Sequence, residues 1–448
     1  MEERMNRTRQ LCDFLAALSI EQIGEKNLLD IHYKLLDWIG CCIAANGRPV
    51  QKRLAALVLQ EGGTGATGIG IPEAVSPWNA AFYNGCISHA LEYDDTNKIA
   101  ITHPGAPVLA AALAACEAEH ADFELLALGI TAGYEAMIRL GGAVNPDHYE
   151  YFHTTGTCGA FAAAAAAGRI MGLDGETLER AFGIVSTMAS GLVCVFGTEA
   201  KLVTVGNAAR NGLMAAQMAR AGLSAPEDAF ASDKGFARAC RGKEDLSFMV
   251  PRPGDALLLE DAYYKMHASC GHTHSALDAL QALLKETPVC PEDVERIEVE
   301  VYKTAQTLCA AYQTQTETKA KFSLPYCVAC MLHYGQVTLS QFTPELLASP
   351  SLSQYAQRII IRENPDFTRV YPQLRPEKVT LFLKDGRSLS RQVDLPVGRP
   401  EYSFIETKFD SLAGMGTSPE QVHEIRALAL GLSLQDRPSS LMQALKSL

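Results

Sequence analysis

The sequence lacks the features of a nucleic-acid-binding or membrane protein. Its 448 residues include 39 Lys and Arg against 51 Asp and Glu, a formal net charge of −12. Without a basic excess, we expect no nucleic-acid partner. The most apolar stretches, Val108–Cys116 and Gly159–Gly168, are too short and alanine-rich to span a bilayer, so we expect no membrane partner. The opening MEERMNRTRQ lacks the apolar core of a secretory signal, which predicts a cytoplasmic location.

Two short motifs argue against common cofactor sites. The thirteen cysteines contain one C-x-x-C pair, Cys327 and Cys330, in an apolar run without a second pair. A buried core position is favoured over zinc or redox chemistry. The glycine-rich segment 62–70 lacks the ending of a phosphate loop and the spacing of a dinucleotide motif. We predict a surface loop with a short edge strand there.

Hydrophobic periodicity changes along the chain. Before about residue 250 it is mainly helical, with small residues every three or four positions in 159–171 that allow close helix packing. After about residue 290, alternating segments at 296–301, 358–362, 379–383 and 389–393 predict strands.

The resulting prediction is a mainly α fold with an α+β second domain. We expect a large all-helical domain over residues 1–264, a smaller α+β lid domain over 265–395, and C-terminal helices over 396–448 that return to the helical domain. Ser418-Pro419-Glu420-Gln421 predicts the start of one such helix, with a capping-box glutamine.

An acidic segment provides the first chemical candidate. Glu92, Asp94 and Asp95 lie within four residues, and mutual repulsion away from water would raise the pKa of one of them, as suits a general acid or base. His103 precedes Pro-Gly at a predicted helix start, where backbone N–H groups can hold an anion. The alternative is a solvated acidic turn with a capping histidine.

Two further segments suggest anion binding. The hydroxyl-rich run Tyr151–Thr157, which contains His153, precedes an alanine-rich helix and either binds carboxylates or caps that helix. Lys201 is the sole lysine between Lys98 and Lys234. It is either an anion-binding residue or, more simply, a surface lysine.

The third candidate segment contains Lys265, His267, Cys270, His272 and His274 within ten residues. A lysine near other cations titrates low and can act as a base or an anion clamp. A metal pair of His272 and His274 is the weaker alternative, because residues two apart share a face only in a strand and this segment leads into a helix.

Five motifs in chain order resemble the MmgE/PrpD family, and the resemblance extends over most of the chain. The matching segments are Asp94-Asp95-Thr96, His103-Pro104-Gly105, Gly197-Thr198 with Lys201, Lys265 with Cys270-Gly271-His272-Thr273-His274, and Ala320-Lys321-Phe322-Ser323 with Tyr326.

The resemblance implies a homodimer with a site between a helical domain and an α+β lid, acting on a small di- or tricarboxylic acid without a metal or organic cofactor. Members include 2-methylcitrate dehydratase, cis-aconitate decarboxylase and iminodisuccinate epimerase, which make or protonate a carbanion next to a carboxylate. The implied catalytic residues are Asp94, His103, His153, Lys265 and His272, and the implied substrate-binding residues are Thr96, Lys201, His267 and His274.

Three departures from the family pattern bear on the reaction. Glu92 stands where dehydratase-like members tend to have Asp, Thr204 where several members have His, and Cys270 where the decarboxylases place a His. They weaken the case for decarboxylation, and the motifs around His89 and Lys265 look closer to the epimerase branch. At family level, a dehydratase-type lyase is the leading candidate for the function. An epimerase, a decarboxylase and a catalytically silent polycarboxylate-binding protein are the alternatives.

Overall fold

The computed structural model describes residues 6–243, 245–252, 254–312 and 314–448. Residues 1–5, part of the segment predicted not to be a secretory signal, lie outside the described residues. The chain divides into two units, one of residues up to Tyr264 together with Glu401–Leu448, the other Lys265–Pro400. We call them the helical unit and the mixed unit.

The α-helices of the described residues are numbered in chain order. They are α1 (Arg7–Ala16), α2 (Ile20–Ala45), α3 (Pro49–Glu61), α4 (Pro77–Ser88), α5 (Gly105–Glu119), α6 (Phe123–Val144), α7 (Thr154–Ile170), α8 (Gly175–Val185), α9 (Ala200–Arg220), α10 (Phe236–Ala239), α11 (His274–Glu286), α12 (Lys303–Cys309), α13 (Glu317–Ala320), α14 (Leu324–Tyr334), α15 (Pro344–Leu347), α16 (Pro350–Ala356), α17 (Pro365–Arg369), α18 (Tyr402–Ala413), α19 (Pro419–Leu430) and α20 (Ser439–Lys446). Short 3-10 helices span Asp147–Glu150, Val193–Val195, Ser247–Met249, Leu258–Asp261, Gly271–Thr273, Pro291–Asp293 and Leu339–Phe342.

The strands form two sheets. They are β1 (Ala66–Thr67), β2 (Ala74–Val75), β3 (Val294–Val301), β4 (Ile359–Glu363), β5 (Glu377–Leu383) and β6 (Ser388–Val393). Antiparallel β1 and β2 confirm the short edge strand of the glycine-rich loop. The other sheet has the order β4-β3-β5-β6, with β4 parallel to β3 and the other pairs antiparallel.

The helical unit is built around α7, which packs against α5, α6, α8 and α9. Apart from Arg169, every residue of α7 is buried, because its many small residues, Ala and Gly, let neighbouring helices approach closely. A Cβ added to Gly212 of α9 would lie 2.5 Å from the carbonyl oxygen of Ala160. The predicted close packing at this segment is therefore confirmed.

The chain ends meet in the helical unit, where α18 packs on α2. The buried Lys408 Nζ lies 2.7 Å from the Asp37 carboxylate and donates to the Tyr93 carbonyl oxygen at 2.7 Å. The predicted fold class, mainly helical with an α+β portion, is confirmed. Within the described residues, no helix is long and apolar enough to cross a membrane.

Helix α19 begins as predicted, but its capping box does not form. Ser418 caps the helix by accepting a hydrogen bond from the Gln421 N–H at 3.3 Å. The side-chain oxygen of Gln421 instead accepts a hydrogen bond from the Thr417 hydroxyl. The predicted capping-box role of Gln421 is therefore wrong, because its oxygen accepts from the Thr417 hydroxyl instead.

Removal of Lys408 tests the packing of α18 on α2. Lys408→Met leaves the Asp37 carboxylate buried without its cation, so we expect the free energy of unfolding to fall by about 3–5 kcal/mol. Lys26→Met is the matched control. Lys26 lies on α2, as Asp37 does, but its ion pair with Glu260 (2.6 Å) is exposed, so the loss should cost about 1 kcal/mol or less. Urea unfolding of both variants measures the difference. Equal, small effects would contradict this account.

Candidate active site

The segment between α4 and α5 carries several predicted site residues and is buried almost throughout. Thr96 and Tyr263 exchange two backbone hydrogen bonds, of 2.9 and 2.8 Å. Asn97 and Thr102 close the segment on itself through another pair. The Thr96 hydroxyl donates to the Thr102 carbonyl oxygen at 3.0 Å. The hydrogen of the Thr96 hydroxyl is therefore used in a hydrogen bond within this segment. The substrate-binding role of Thr96 stays a prediction.

Asp95 ties this segment to two helices. Its carboxylate accepts hydrogen bonds from the Tyr134 hydroxyl of α6 at 2.6 Å and from the Gly105 N–H of α5 at 2.8 Å. Burial raises the pKa of Asp95 to about 6, with Asp94 adding to the rise and Lys34 opposing it. The predicted raised pKa thus occurs, but burial rather than mutual repulsion is its main cause.

The Gly105 N–H is therefore not open to an external anion. At the start of α5, the charge that this helix end attracts comes from the protein's own Asp95. The anion site predicted at this helix start therefore stays a prediction that cannot use the Gly105 N–H, because Asp95 folds back onto it.

Most predicted residues of the helical unit lie in one group. We call it the acid–histidine cluster, and it consists of His89, Glu92, Asp94, His103, His153 and Lys201. His89 Nδ1 donates to the Asp94 carboxylate at 2.8 Å, and His103 Nδ1 lies 3.4 Å from the same oxygen. The His89 ring centroid lies 4.7 Å from that of His103 and 5.8 Å from that of His153. The structure thus brings Asp94, His103 and His153 together around His89.

Lys201 enters the cluster from the first turn of α9. Its Nζ forms a buried ion pair with the Glu92 carboxylate and lies 5.1 Å from the centre of the Phe196 ring. Glu92 has a φ of 54°, a left-handed conformation that costs roughly 1–3 kcal/mol in a non-glycine residue. The surface-lysine interpretation is wrong, because an acid 109 residues away allows Lys201 to be buried.

His153 is the N-cap residue of α7 and is almost fully buried. Its Nδ1 lies 2.8 Å from the Thr204 hydroxyl oxygen of α9. Burial, followed by the nearby Lys201, His89 and His103, lowers the pKa of His153 well below its usual value. The imidazole is therefore neutral at pH 7 and has a lone pair available for a proton.

The hydroxyls that follow His153 are used within the protein. Thr154 bonds to the Asn145 side chain, Thr155 accepts from the His103 N–H at 3.1 Å, and Thr157 lies 2.8 Å from His148 Nε2. These hydroxyls do not cap the helix, because α7 has no side-chain cap hydrogen bond. The carboxylate-binding interpretation stays a prediction for hydroxyls that already have partners within the protein.

Three potential metal ligands occur in the cluster. Among the described residues, His89, Asp94 and His103 offer ligand atoms within 4.8 Å of one another. The His103 Nδ1 lies 2.9 Å from the Asp95 carbonyl oxygen, which only accepts, so this nitrogen carries a hydrogen. A metal bound through His103 Nδ1 would displace that hydrogen bond. The donor set therefore suits a protonated hydrogen-bond network better than a metal held through these atoms.

The mixed unit holds the other predicted residues. His267 Nε2 bonds to the Asp278 carboxylate at 2.9 Å, and the ring lies 5.1 Å from that of His274. His272 Nδ1 bonds to the Tyr302 hydroxyl at 2.6 Å, whereas His274 Nε2 lies 3.3 Å from the Ser269 carbonyl oxygen. Because His272 and His274 have separate partners, the alternative of a shared metal pair gains no support. Lys265, at the first position of the unit, is fully buried.

Cys327 and Cys330 confirm the core interpretation of the C-x-x-C pair. Both are fully buried on α14, and burial is the main cause that raises the pKa of each thiol, for Cys330 to about 12. Protonated, buried thiols behave as small apolar side chains.

The residues named from the sequence as catalytic or substrate-binding do not include His89 or Thr204, and Glu92 appears only as one of three acidic candidates. His89 precedes Glu92 by three residues, and Thr204 follows Lys201 by three on α9. On a helix that spacing puts two side chains on one face, so the position of Thr204 was accessible once Lys201 was singled out. The pairing of Glu92 with Lys201 could not be predicted from the sequence, since it joins distant parts of the chain.

Comparison with known proteins covers nearly the whole chain. The model of the MmgE/PrpD N-terminal domain matches residues 9–249, and that of the MmgE/PrpD C-terminal domain matches residues 267–434. A cis-aconitate decarboxylase of Aspergillus terreus is 26% identical, covering 98% of this chain and 95% of the relative. The cis-aconitate decarboxylases of Mus musculus and Homo sapiens are also 26% identical, over 86% and 83% of this chain and 82% and 79% of their own lengths.

Asp95→Asn tests the buried carboxylate through its pH dependence. Because the native pKa is raised from 3.8 to about 6, the folded protein keeps a proton that the unfolded chain has lost between these values. Stability relative to Asp95→Asn should therefore fall by about 2 kcal/mol between pH 4.5 and 7, the larger part of the roughly 3 kcal/mol that the whole pKa shift represents.

Unfolding free energies of both proteins at pH 4.5 and 7 measure this effect. Asp174→Asn is the control, because hydrogen bonds with Thr177 lower the pKa of Asp174. The stability contributed by Asp174 is lost only as pH falls below about 4, so it should hardly change between pH 4.5 and 7. A wild-type advantage over Asp95→Asn that grew with pH would contradict the raised pKa.

Proposed function

Because the chain belongs to the MmgE/PrpD family, we propose that it is a lyase or isomerase that removes a proton next to a carboxylate of a small di- or tricarboxylic acid, without a cofactor. The leading candidate at family level is a dehydratase-type lyase. The observation that carries the proposal is the neutral, buried imidazole of His153 beside Lys201.

His153 suits the role of general base both in the free protein and when an anionic substrate is bound. In the free protein, burial and the neighbouring Lys201 keep it unprotonated at pH 7, ready to accept a proton. An anionic substrate brings negative charge close to the ring, which raises the proton affinity of the imidazole. The base therefore becomes stronger when the acid to be deprotonated is bound. Asp94 and His272 are the alternative bases.

Substrate carboxylates require local positive charge, because the net charge of −12 opposes an anion. We assign this role to Lys201, Lys265 and His103. Preorganised donors on the carboxylate contribute roughly 3 kcal/mol each when charge develops on its oxygens. Lys201 already holds Glu92, so a substrate carboxylate would share or displace that partner. Supporting contacts are assigned to Thr96, His267 and His274.

Epimerisation is the second candidate. The local motifs around His89 and Lys265 favour it, and the cluster offers several acid–base groups, as removal of a proton from one face and its return to the other requires. Decarboxylation takes the third place. The decarboxylases are relatives over most of the chain. The family resemblance nevertheless implies a histidine in decarboxylases at the position of Cys270. A silent polycarboxylate-binding protein is the non-enzymatic alternative.

Proton NMR in D2O tests the reaction class. The purified protein is incubated in turn with 2-methylcitrate, cis-aconitate and iminodisuccinate. We expect deuterium to enter a C–H position next to a carboxylate, because abstraction leaves a carbanion that solvent-derived deuterons quench. Net formation of an alkene indicates a lyase, and exchange with inversion indicates an epimerase. Binding of an acid without exchange or conversion would contradict catalysis and support the binding-protein alternative.

His153→Gln tests the base. The variant removes the proton acceptor, so exchange should slow by a factor on the order of 10²–10⁴. His32→Gln is the matched control, because His32 is also buried, is bonded to the Ala429 carbonyl oxygen at 2.9 Å and has a pKa lowered by burial. His32→Gln should exchange substrate at close to the wild-type rate. Exchange by His153→Gln at the rate of His32→Gln would remove His153 from the mechanism.

A further inference from the structure

Thr204 lies one helical turn after Lys201 on α9 and makes two short polar contacts. Its hydroxyl oxygen is 2.7 Å from the Lys201 carbonyl oxygen and 2.8 Å from His153 Nδ1. The family resemblance implies no role for Thr204. At its position, several members of the family have a histidine.

The number of hydrogens decides which atom donates in each contact. A threonine hydroxyl has one hydrogen, and a carbonyl oxygen can only accept. The Thr204 hydrogen therefore points to the Lys201 carbonyl oxygen. The hydroxyl oxygen is left to accept at His153, so the hydrogen of the neutral imidazole must be on Nδ1.

We infer that Thr204 is a positioning residue that holds His153 in the Nδ1–H tautomer and so presents Nε2 as the proton-accepting atom. The catalytic consequence rests on the function proposed above, whereas the tautomer itself does not. The imidazole has two distinct nitrogens, and the partner of one decides the chemistry of the other.

The surroundings of Thr204 restrict its side chain. A Cβ added to Gly156 would lie 3.0 Å from the Thr204 Cβ, and one added to Gly191 would lie 3.3 Å from it. Two backbone segments thus approach the threonine closely. The backbone N–H of His153 also donates to the Gly191 carbonyl oxygen at 3.1 Å. The close backbone leaves little space for a histidine at position 204, and it fixes the hydroxyl relative to the ring.

The titratable neighbours of His153 do not replace this contact. Lys201, His89, His103 and Glu92 all act on the ring electrostatically. Among them Glu92 is an acceptor, and its carboxylate is paired with Lys201. Loss of the Thr204 hydroxyl should therefore let the imidazole hydrogen redistribute between the two nitrogens.

Nitrogen NMR of protein labelled with ¹⁵N-histidine tests the tautomer without any substrate. Protonated and unprotonated ring nitrogens have well-separated shifts, and the His153 signals are those absent from His153→Gln. We expect wild type and Thr204→Ser to show hydrogen on Nδ1, and Thr204→Val to show a mixture or hydrogen on Nε2. Hydrogen on Nε2 in wild type, or on Nδ1 alone in Thr204→Val, would overturn the inference. Thr204→Ala serves in the same test if the valine variant does not fold.

Kinetics separate positioning from a structural role. With an acid that exchanges deuterium, Thr204→Val should lower kcat on the order of 10- to 100-fold, part of what a general base contributes, while KM changes by about twofold or less. Thr204→Ser should restore kcat.

Thr131→Val is the matched control, because the buried Thr131 hydroxyl of α6 also donates to a backbone carbonyl, that of Ala127 at 2.8 Å, but meets no histidine. Its kcat should match wild type. Equal kcat in Thr204→Val and Thr131→Val would overturn the positioning role. If no acid exchanges deuterium, the proposed function fails, and the nitrogen NMR still decides the tautomer.

Discussion

The buried carboxylate of Asp95 is the constraint on which the candidate site depends. Its side chain joins the start of α5 to Tyr134 of α6, and its backbone carbonyl oxygen accepts from His103 Nδ1. One residue thereby fixes the loop, a helix end and the ring of a predicted catalytic histidine. Burial makes these bonds necessary, because an unpaired carboxylate away from water destabilises the fold. The raised pKa of Asp95 is the measurable sign of that cost.

The same principle explains how an acidic protein can hold cations away from water. Lys201 is buried against Glu92, and Lys408 against Asp37, each pair joining distant parts of the chain. A buried ion pair contributes little net stability, but loss of one partner leaves the other charge uncompensated. Under the function proposed above, the positive charge for an anionic substrate would therefore be local and partly neutralised by the protein. Glu92 would then influence which acids bind at Lys201.

The sequence predicted the fold class well, because hydrophobic periodicity and small-residue spacing report directly on helix packing and strand exposure. The strands β3 to β6 and the close packing of α7 follow from local patterns. The site was predicted through motifs, which named Asp94, His103, His153 and Lys201 without their partners. The partners come from long-range folding, as Glu92 and Lys201 are 109 residues apart. For that reason spacing alone favoured a surface position for Lys201, although the family motif named it as substrate-binding, since no local pattern shows that a charge is matched.

The three histidines of the acid–histidine cluster share one arrangement and differ in one chemical respect. Each has an acceptor at Nδ1: the Asp94 carboxylate for His89, the Asp95 carbonyl oxygen for His103 and the Thr204 hydroxyl for His153. All three rings are thus held with the same nitrogen protonated, which leaves Nε2 as the basic atom.

The acceptors differ in charge. A carboxylate stabilises a protonated ring, whereas a hydroxyl already committed to a carbonyl does so weakly. His103 Nδ1 also lies 3.4 Å from the Asp94 carboxylate. Under the function proposed above, an anionic substrate would therefore bring to His153 a negative charge that its hydroxyl partner at Nδ1 does not supply. Burial and Lys201 keep the proposed base neutral, and the uncharged hydroxyl at position 204 orients the ring without opposing that effect.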